Sequence, residues 1–360
     1  MCRGTFTDAD IQALVEQGQI RSEQPLATGQ VQPASLDLRL GAEAWRMPGS
    51  TLPREHESIR DLIDCLALER LDLNTATCLA RGCVYLIRLQ EAVALPSGVE
   101  AYCNAKSSTG RIDVATRVLC DGNARYDRIA AGYRGELWLE VTSRSFDVVL
   151  QADCCLNQAI FFRQRRLLDQ AALQQEHALQ SLLLDEQGVV NSGINDGRLI
   201  LRAHLDRPVV GYVARRSHRP IDLRPGQRHD SRHYFTAIPQ PDSGYLFLEK
   251  DRFYILASRE RLVVPPHLAC EMVPYDPAAG EFRAHYAGFF DPGFGIHTDG
   301  AQGTRAVLEV RPHEDDLILR DGQPIGAMVY ERLTAPCHRQ YGHGSHYAVQ
   351  NGPRLSKYFD

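Results

Sequence analysis

Residues 79–96 read LARGCVYLIRLQEAVALP, and residues 248–265 read LEKDRFYILASRERLVVP. Tyr85 aligns with Tyr254, Glu91 with Glu260 and Pro96 with Pro265, each at an offset of 169 (254 − 85). At the same offset Leu139-Glu140-Val141 meets Leu308-Glu309-Val310. Ala159-Ile160-Phe161-Phe162 echoes Ala327-Met328-Val329-Tyr330, and Leu36-Asp37-Leu38-Arg39 echoes Ile221-Asp222-Leu223-Arg224 across an insertion. A shared offset over so many matches points to one domain present twice.

Both copies are expected to be mainly β. Segments such as Val84–Ile87, Leu137–Val141 and Ala306–Val310 have strand composition, and Gly or Pro interrupts the chain every ten or so residues. That pattern predicts short strands in a barrel or sandwich. Thr7-Asp8-Ala9-Asp10 opens a helix that Gly18 closes, and a second helix is expected from about Leu167 to Glu186, with Leu168, Ala172, Leu179 and Leu183 on one face. The division expected is 1–165 for copy one, 166–199 for a helical linker, 200–335 for copy two and 336–360 for a C-terminal tail.

With 360 residues, 24% charged and a net charge of −5, the chain lacks the basic excess of a protein that coats nucleic-acid polymers. Mean hydropathy is −0.30, no apolar run approaches a membrane span, and no apolar leader is visible at the N-terminus. The ten cysteines include no Cys-x-x-Cys pair and read as reduced thiols. The expected location is the cytoplasm, with no membrane partner.

The copies differ most after Cys103. Copy one reads Asn104-Ala105-Lys106-Ser107-Ser108-Thr109-Gly110-Arg111, whereas copy two reads Val273-Pro274-Tyr275-Asp276-Pro277-Ala278-Ala279-Gly280. Hydroxyls, backbone N–H groups and cations suit phosphate oxygens, and only copy one has kept them. The order of a P-loop is absent, and so is the His-x-Glu with Pro-Cys-x-x-Cys of zinc deaminases. His343 and His346, flanked by Gly342 and Gly344, read as solvent-facing or substrate-facing histidines rather than a metal pair. Glu140 lies in the apolar context Leu137–Val141; a half-buried carboxylate there has either a raised pKa and a proton-transfer role or a structural salt bridge.

Four stretches together resemble the dCTP deaminase branch of the dUTPase-like superfamily, in a long form with two fused copies. They are Pro33–Gly41, Lys106–Arg111, Arg128–Tyr133 leading to Leu139-Glu140, and His346–Gly352. The sequence departs from the family pattern at Lys106 (usually arginine), at Ala130-Ala131 (usually Asp-Pro, kept in copy two as Asp291-Pro292) and at His346 (usually lysine). The resemblance implies a duplicated, distorted β-barrel of the β-clip type with a few short helices. It implies hydrolytic deamination of dCTP to dUTP and ammonia without zinc, supplying dUTP for dTTP synthesis, with Mg²⁺ bound mainly through the triphosphate.

Glu140, Arg111 and Ser107 are the catalytic candidates. Lys106, Ser107, Ser108, Arg128, Tyr133, His346, Tyr347 and Gln350 are the substrate-binding candidates. A homotrimer is the expected assembly, and dTTP is a candidate feedback inhibitor. Two rival readings stay open: a bifunctional enzyme giving dUMP and pyrophosphate, with Asp113, Asp121 or Asp127 aiming a water, and a non-catalytic nucleotide sensor.

If His346 contacts phosphate, KM for dCTP should rise as pH climbs through about 6.5, where an imidazole loses its charge. Steady-state kinetics from about pH 6 to 8 would check this, and a flat KM would remove His346 from that role.

Overall fold

The computed structural model describes residues 3–191, 193–275, 288–297, 303–339, 341, 347 and 349–360. The chain forms two compact units. The first comprises Met1–Gln164, Arg216–His233 and Ser356–Asp360; the second comprises Arg165–Arg215 and Tyr234–Leu355.

The first unit is built on a ten-stranded, barrel-like sheet. Its main path runs Val114–Leu119, Arg134–Ser143, Val84–Ala94, Leu36–Met47, Cys155–Arg163, Glu100–Ala105 and Arg128–Ile129. A smaller sheet joins Thr77–Leu79, Val148–Leu150 and Ile221–Asp222, the last two running parallel. In the second unit Tyr254–Leu262 pairs with Val209–Ala214 and with Thr304–Val310, while a five-stranded sheet places Pro324–Arg332 between Arg198–Arg202 and Leu268–Val273.

The duplication is visible in the register. Val141 faces Tyr85 across its ladder, and Val310 faces Tyr254. The Tyr85 hydroxyl accepts from the Ala80 N–H at 3.0 Å, and the Tyr254 hydroxyl accepts from the Glu249 N–H at 2.8 Å. Ile160 faces Tyr102 and Val329 faces Glu271, so Ile160 corresponds to Val329, one position on from the match read in the sequence.

One expected echo is corrected. Ile221–Asp222 belongs to the first unit, and the counterpart of Leu36–Arg39 is Leu199–Arg202. A shared ion pair decides this. The Arg39 N–H donates to Glu91 at 2.7 Å and its Nε donates to the same carboxylate at 3.0 Å. The Arg202 N–H donates to Glu260 at 2.8 Å and its Nη1 at 3.0 Å. Leu-Asp-Leu-Arg at 36–39 resembles Ile-Asp-Leu-Arg at 221–224 in letters, but only Arg202 meets a glutamate in the required register.

Helices follow their caps. Asp8–Glu16 starts at Thr7, whose N–H donates to Asp10, and Gly18 turns out at φ +68°. The later helix is shorter than the sequence pattern predicted. It spans Gln170–Gln180, capped by the Asp169 side chain accepting from the Ala172 N–H, and it ends where Ser181 adopts a left-handed conformation. Its buried face carries Leu173, Glu176 and His177, whereas Leu179 is 70% exposed. Short strands take up Leu183–Asp185, Gly188–Val189 and Ile194–Asn195 of the stretch expected as linker. An unanticipated helix, Ile59–Leu66, is capped by Ser58 and packs Ile59, Leu62 and Ile63 against Trp138. No described helix is long and apolar enough to cross a membrane.

The Arg39 and Glu91 side chains are 6% and 0% exposed, against 27% and 2% for Arg202 and Glu260. Removing one partner of a buried pair strands the other charge, so Glu91→Gln should cost about 3 kcal/mol or more. Glu260→Gln should cost roughly half as much, because water reaches Arg202. Urea denaturation of the two variants measures the difference.

Candidate functional site

Glu140 lies on Arg134–Ser143, between Val84–Ala94 and Val114–Leu119. Leu137, Trp138, Leu139 and Val141 around it are fully buried, and Glu140 itself is 4% exposed. A carboxylate in such a place needs donors. The Ser50 hydroxyl donates to Oε1 at 3.0 Å and the Tyr126 hydroxyl donates to Oε2 at 3.3 Å. Arg117, directly opposite Glu140 across the ladder, brings Nη1 to 3.7 Å and sets its guanidinium over the Tyr126 ring at 4.8 Å. Burial pushes the Glu140 carboxyl above its ordinary range; Ser50, Arg117, Tyr126 and the Thr51 N–H pull it partly back.

Asp127 is a second carboxyl in the same field. Its backbone is left-handed at φ +58°. Its N–H donates to the Val118 carbonyl at 2.9 Å, and the Val118 N–H donates to its Oδ1 at 2.8 Å. Burial pushes it up to about 7, with Glu140 adding to the shift and the Val118 N–H and Arg117 opposing it. The other two aspartates of the rival reading are engaged elsewhere: Asp121 accepts from the Ile59 N–H and Asp113 from the Ser145 hydroxyl.

The hydroxyl-rich segment forms a single helical turn, Ser107–Gly110, directly after the strand Glu100–Ala105. The Lys106 N–H donates to the Leu156 carbonyl, and the Lys106 carbonyl accepts from the Thr109 and Gly110 N–H groups, which closes the turn. Arg111 is 3% exposed, and its Nε donates to the Ser107 hydroxyl at 3.0 Å. Lys106 forms an ion pair with Asp37. The C-terminal residues of the first unit reach this turn. The Ser356 hydroxyl donates to the Ser108 carbonyl at 2.7 Å, and Lys357 stands in the field of Lys106 and Asp37, its pKa lowered chiefly by burial.

Arg128 faces Tyr102 across its short ladder, with its guanidinium 6.0 Å from that ring. The Tyr133 hydroxyl donates to the Glu136 carbonyl at 2.8 Å and accepts from the Asp121 N–H at 3.2 Å. Gly135 leaves room for it, since a Cβ there would lie 2.6 Å from the Tyr133 hydroxyl. Tyr347 and Gln350 are buried in the second unit, where the Gln350 amide donates to the Arg305 carbonyl at 2.7 Å. His346 lies outside the described residues.

Thus Lys106, Ser107, Ser108 and Arg111 come together at one turn, while Glu140 is held by Ser50, Tyr126 and Arg117. Those three residues, with Lys357, are not among the sequence candidates, whereas Asp127 is one only under the dUMP-forming reading. Arg117 was detectable only through strand register, and Ser50 and Lys357 had no local signal.

Residues 2–165 match the family model for the N-terminal domain of 2'-deoxycytidine 5'-triphosphate deaminase, and residues 169–359 match that for its C-terminal domain. The chain belongs to the dCTP deaminase family. It is 31% identical over 165 residues to a dUMP-forming dCTP deaminase of Methanoculleus marisnigri, spanning 45% of this chain and 81% of that one. It is 33% identical over 144 residues to a dCTP deaminase of Haloarcula marismortui, spanning 38% and 69%. The structure of 2'-deoxycytidine 5'-triphosphate deaminase from Agrobacterium tumefaciens is 39% identical, with a TM-score of 0.88 over 96% of this chain and 99% of that one. The two curated relatives align with less than half of this chain, whereas the solved structure matches both domains, as a fused form of the family requires.

Asp127 is an acid whose pKa is raised on folding. The neutral form is therefore favoured in the native state, and its contribution to stability is present below about pH 4 and lost as pH rises to about 7. Asp127→Asn, which can still accept from Val118, should flatten that decline. Urea titrations at about pH 5 and pH 8 should show the variant gaining on the parent at the higher pH.

Proposed function

We propose that the chain hydrolyses the 4-amino group of dCTP, giving dUTP and ammonia, with Glu140 as the proton-transferring base. The observation that carries this reading is the buried Glu140 carboxylate with its pKa raised, held by Ser50, Tyr126 and Arg117 in a copy that also retains the phosphate-type turn. Cytosine C4 is a poor electrophile, so the attacking water must lose a proton as the ring gains one. Glu140 takes one proton from water as its oxygen bonds to C4 and passes it to N3; it then takes the remaining proton from the C4 hydroxyl and passes it to the amino nitrogen as the C4–N bond breaks. Ammonia leaves and the C4 carbonyl remains. Arg111 and Ser107, already linked, orient the water and stabilise charge developing at C4.

Lys106 and Ser108 are assigned to the triphosphate, and Arg128 and Tyr133 to the base or a loop beside it. Tyr347, Gln350 and His346 are assigned to closure over the nucleotide. Mg²⁺ would be carried on the substrate phosphates, where it neutralises charge. We assign the active form to a homotrimer in which neighbouring copies complete the site, as the family resemblance implies.

A second reading, release of dUMP and pyrophosphate, is favoured by Asp127 standing in the field of Glu140 and Arg117. Incubating the protein with dCTP and Mg²⁺, resolving the nucleotides and assaying ammonia separates the readings. Equal dUTP and ammonia are expected; dUMP would establish the bifunctional form; no product despite thermal protection by dCTP would make the chain a sensor. Glu140→Gln should lower turnover at least about a hundredfold while retaining dCTP binding, whereas Glu309→Gln should leave turnover near the parental rate. An equal loss in both, with the fold intact, would overturn the choice of copy.

A further inference from the structure

The two units treat one register position in opposite ways. In the first, Glu136 faces Ala92 next to a break in strand register. At the same offset of 169, Arg305 (305 − 136) faces Arg261 (261 − 92) in the second unit, also beside a register break. Like charges placed directly across a ladder repel. Around Glu136 the charges balance: Arg60, Arg70 and Arg88 meet Glu23, Glu43 and Glu136.

Around Arg305 they do not. Arg207, Arg259 and His204 join the Arg261–Arg305 pair, and among the described residues the carboxylates that meet these guanidiniums are Glu186 on Arg305 and Asp321 on Arg259. Glu260, between Arg259 and Arg261 in sequence, is committed to Arg202. Arg305 is 4% exposed, and it is fixed by the Ser258 and Arg259 carbonyls as well as by Glu186, whose own side chain is 64% exposed. Arg207 donates through Nη1 to the Asn351 carbonyl, and Arg261 through Nη2 to the Asp185 carbonyl. The Nε atoms of Arg207 and Arg261 and the Nδ1 of His204 are buried with no hydrogen-bond partner among the described residues. Gly352 lies against the Arg207 guanidinium, and a Cβ there would collide with it.

We propose that Arg207, Arg261 and Arg305 of the second unit, with Arg259 and His204 at its edge, form a binding site for a small polyphosphate, separate from the site of Glu140. Among the described residues, four guanidiniums against two carboxylates leave a surplus that a single carboxylate ligand would not neutralise. Guanidinium forks present paired N–H donors that match phosphate oxygens. The chain as a whole is acidic, at −5, so the cluster is a local feature rather than a general basic surface. The mutual repulsion shows in the direction of the shifts: burial, Arg207 and Arg261 depress the Arg305 pKa, and burial with Arg305, Arg207 and Arg259 depresses that of His204. A bound polyanion reverses this cost.

The test uses inorganic tripolyphosphate and the full chain, followed by calorimetric titration. Lys106→Gln removes one cation of the other phosphate candidate, the one assigned to the triphosphate, and serves as the background. Saturable binding is expected in Lys106→Gln, weakened at least about tenfold when Arg207→Gln and Arg261→Gln are added. No saturable binding in Lys106→Gln, or equal binding with and without the two arginines, would overturn the proposal. Arg207→Gln/Arg261→Gln in the otherwise unchanged chain should melt no lower than the parent without ligand and should keep its dCTP turnover. A lower melting point would overturn the claim that these charges repel in the empty protein. Turnover of dCTP by the parent is read separately, so failure of either proposal leaves the other standing.

Discussion

Each β unit depends on an arginine that grips one glutamate twice, through its backbone N–H and through its guanidinium. In the first unit Arg39 holds Glu91, and in the second Arg202 holds Glu260. Both partners sit where water cannot satisfy them fully, so a slip of either strand would strand a buried charge at a cost of several kcal/mol. The pair therefore sets which residues of the neighbouring strands face inward. Glu140 is buried and opposite Arg117 because the strand that carries it pairs with Val84–Ala94, the strand that also carries Glu91.

The same frame has been used for two electrostatic ends. In the first unit, the frame buries Glu140 with three polar partners and keeps Asp127 in the same field, so both carboxyls feel Arg117 while Asp127 also feels Arg128. The turn at Ser107–Gly110 is held separately, by Lys106 with Asp37, by Arg111 with Ser107 and by Ser356 from the C-terminal residues. In the second unit the register position of Glu136 carries Arg305, facing Arg261, and positive charge accumulates. A duplicated domain allows this because the backbone hydrogen bonds that define each unit do not depend on which charge an outlying ladder position carries.

Strand composition and the repeat made the β architecture legible, because apolar alternation and punctuation by Gly and Pro are local properties. Letters misled where two segments shared a composition but not a partner. Ile221–Asp222 matched Leu36-Asp37 in type, yet it pairs with Val148–Leu150 in the first unit. The helix after Leu167 was read too long because a hydrophobic repeat does not show where capping begins and ends; Asp169 and Ser181 decide that. Ile59–Leu66 was missed, although its Ser58–Asp61 cap lay in plain view.

By itself, the sequence determined that this is a duplicated β protein, that the hydroxyl and cation cluster at 106–111 occurs in one copy only, and that Glu140 stands in an apolar strand. These follow from residue type and order. Only the tertiary structure decided that Ser50, Tyr126 and Arg117 hold Glu140, that Asp127 is pushed up to about 7, that Ser356 and Lys357 reach the Lys106 turn, and that Arg261 and Arg305 face one another. The reason is physical: desolvation and charge–charge contact depend on which distant segments a strand register brings together, and that register is set by the whole sheet.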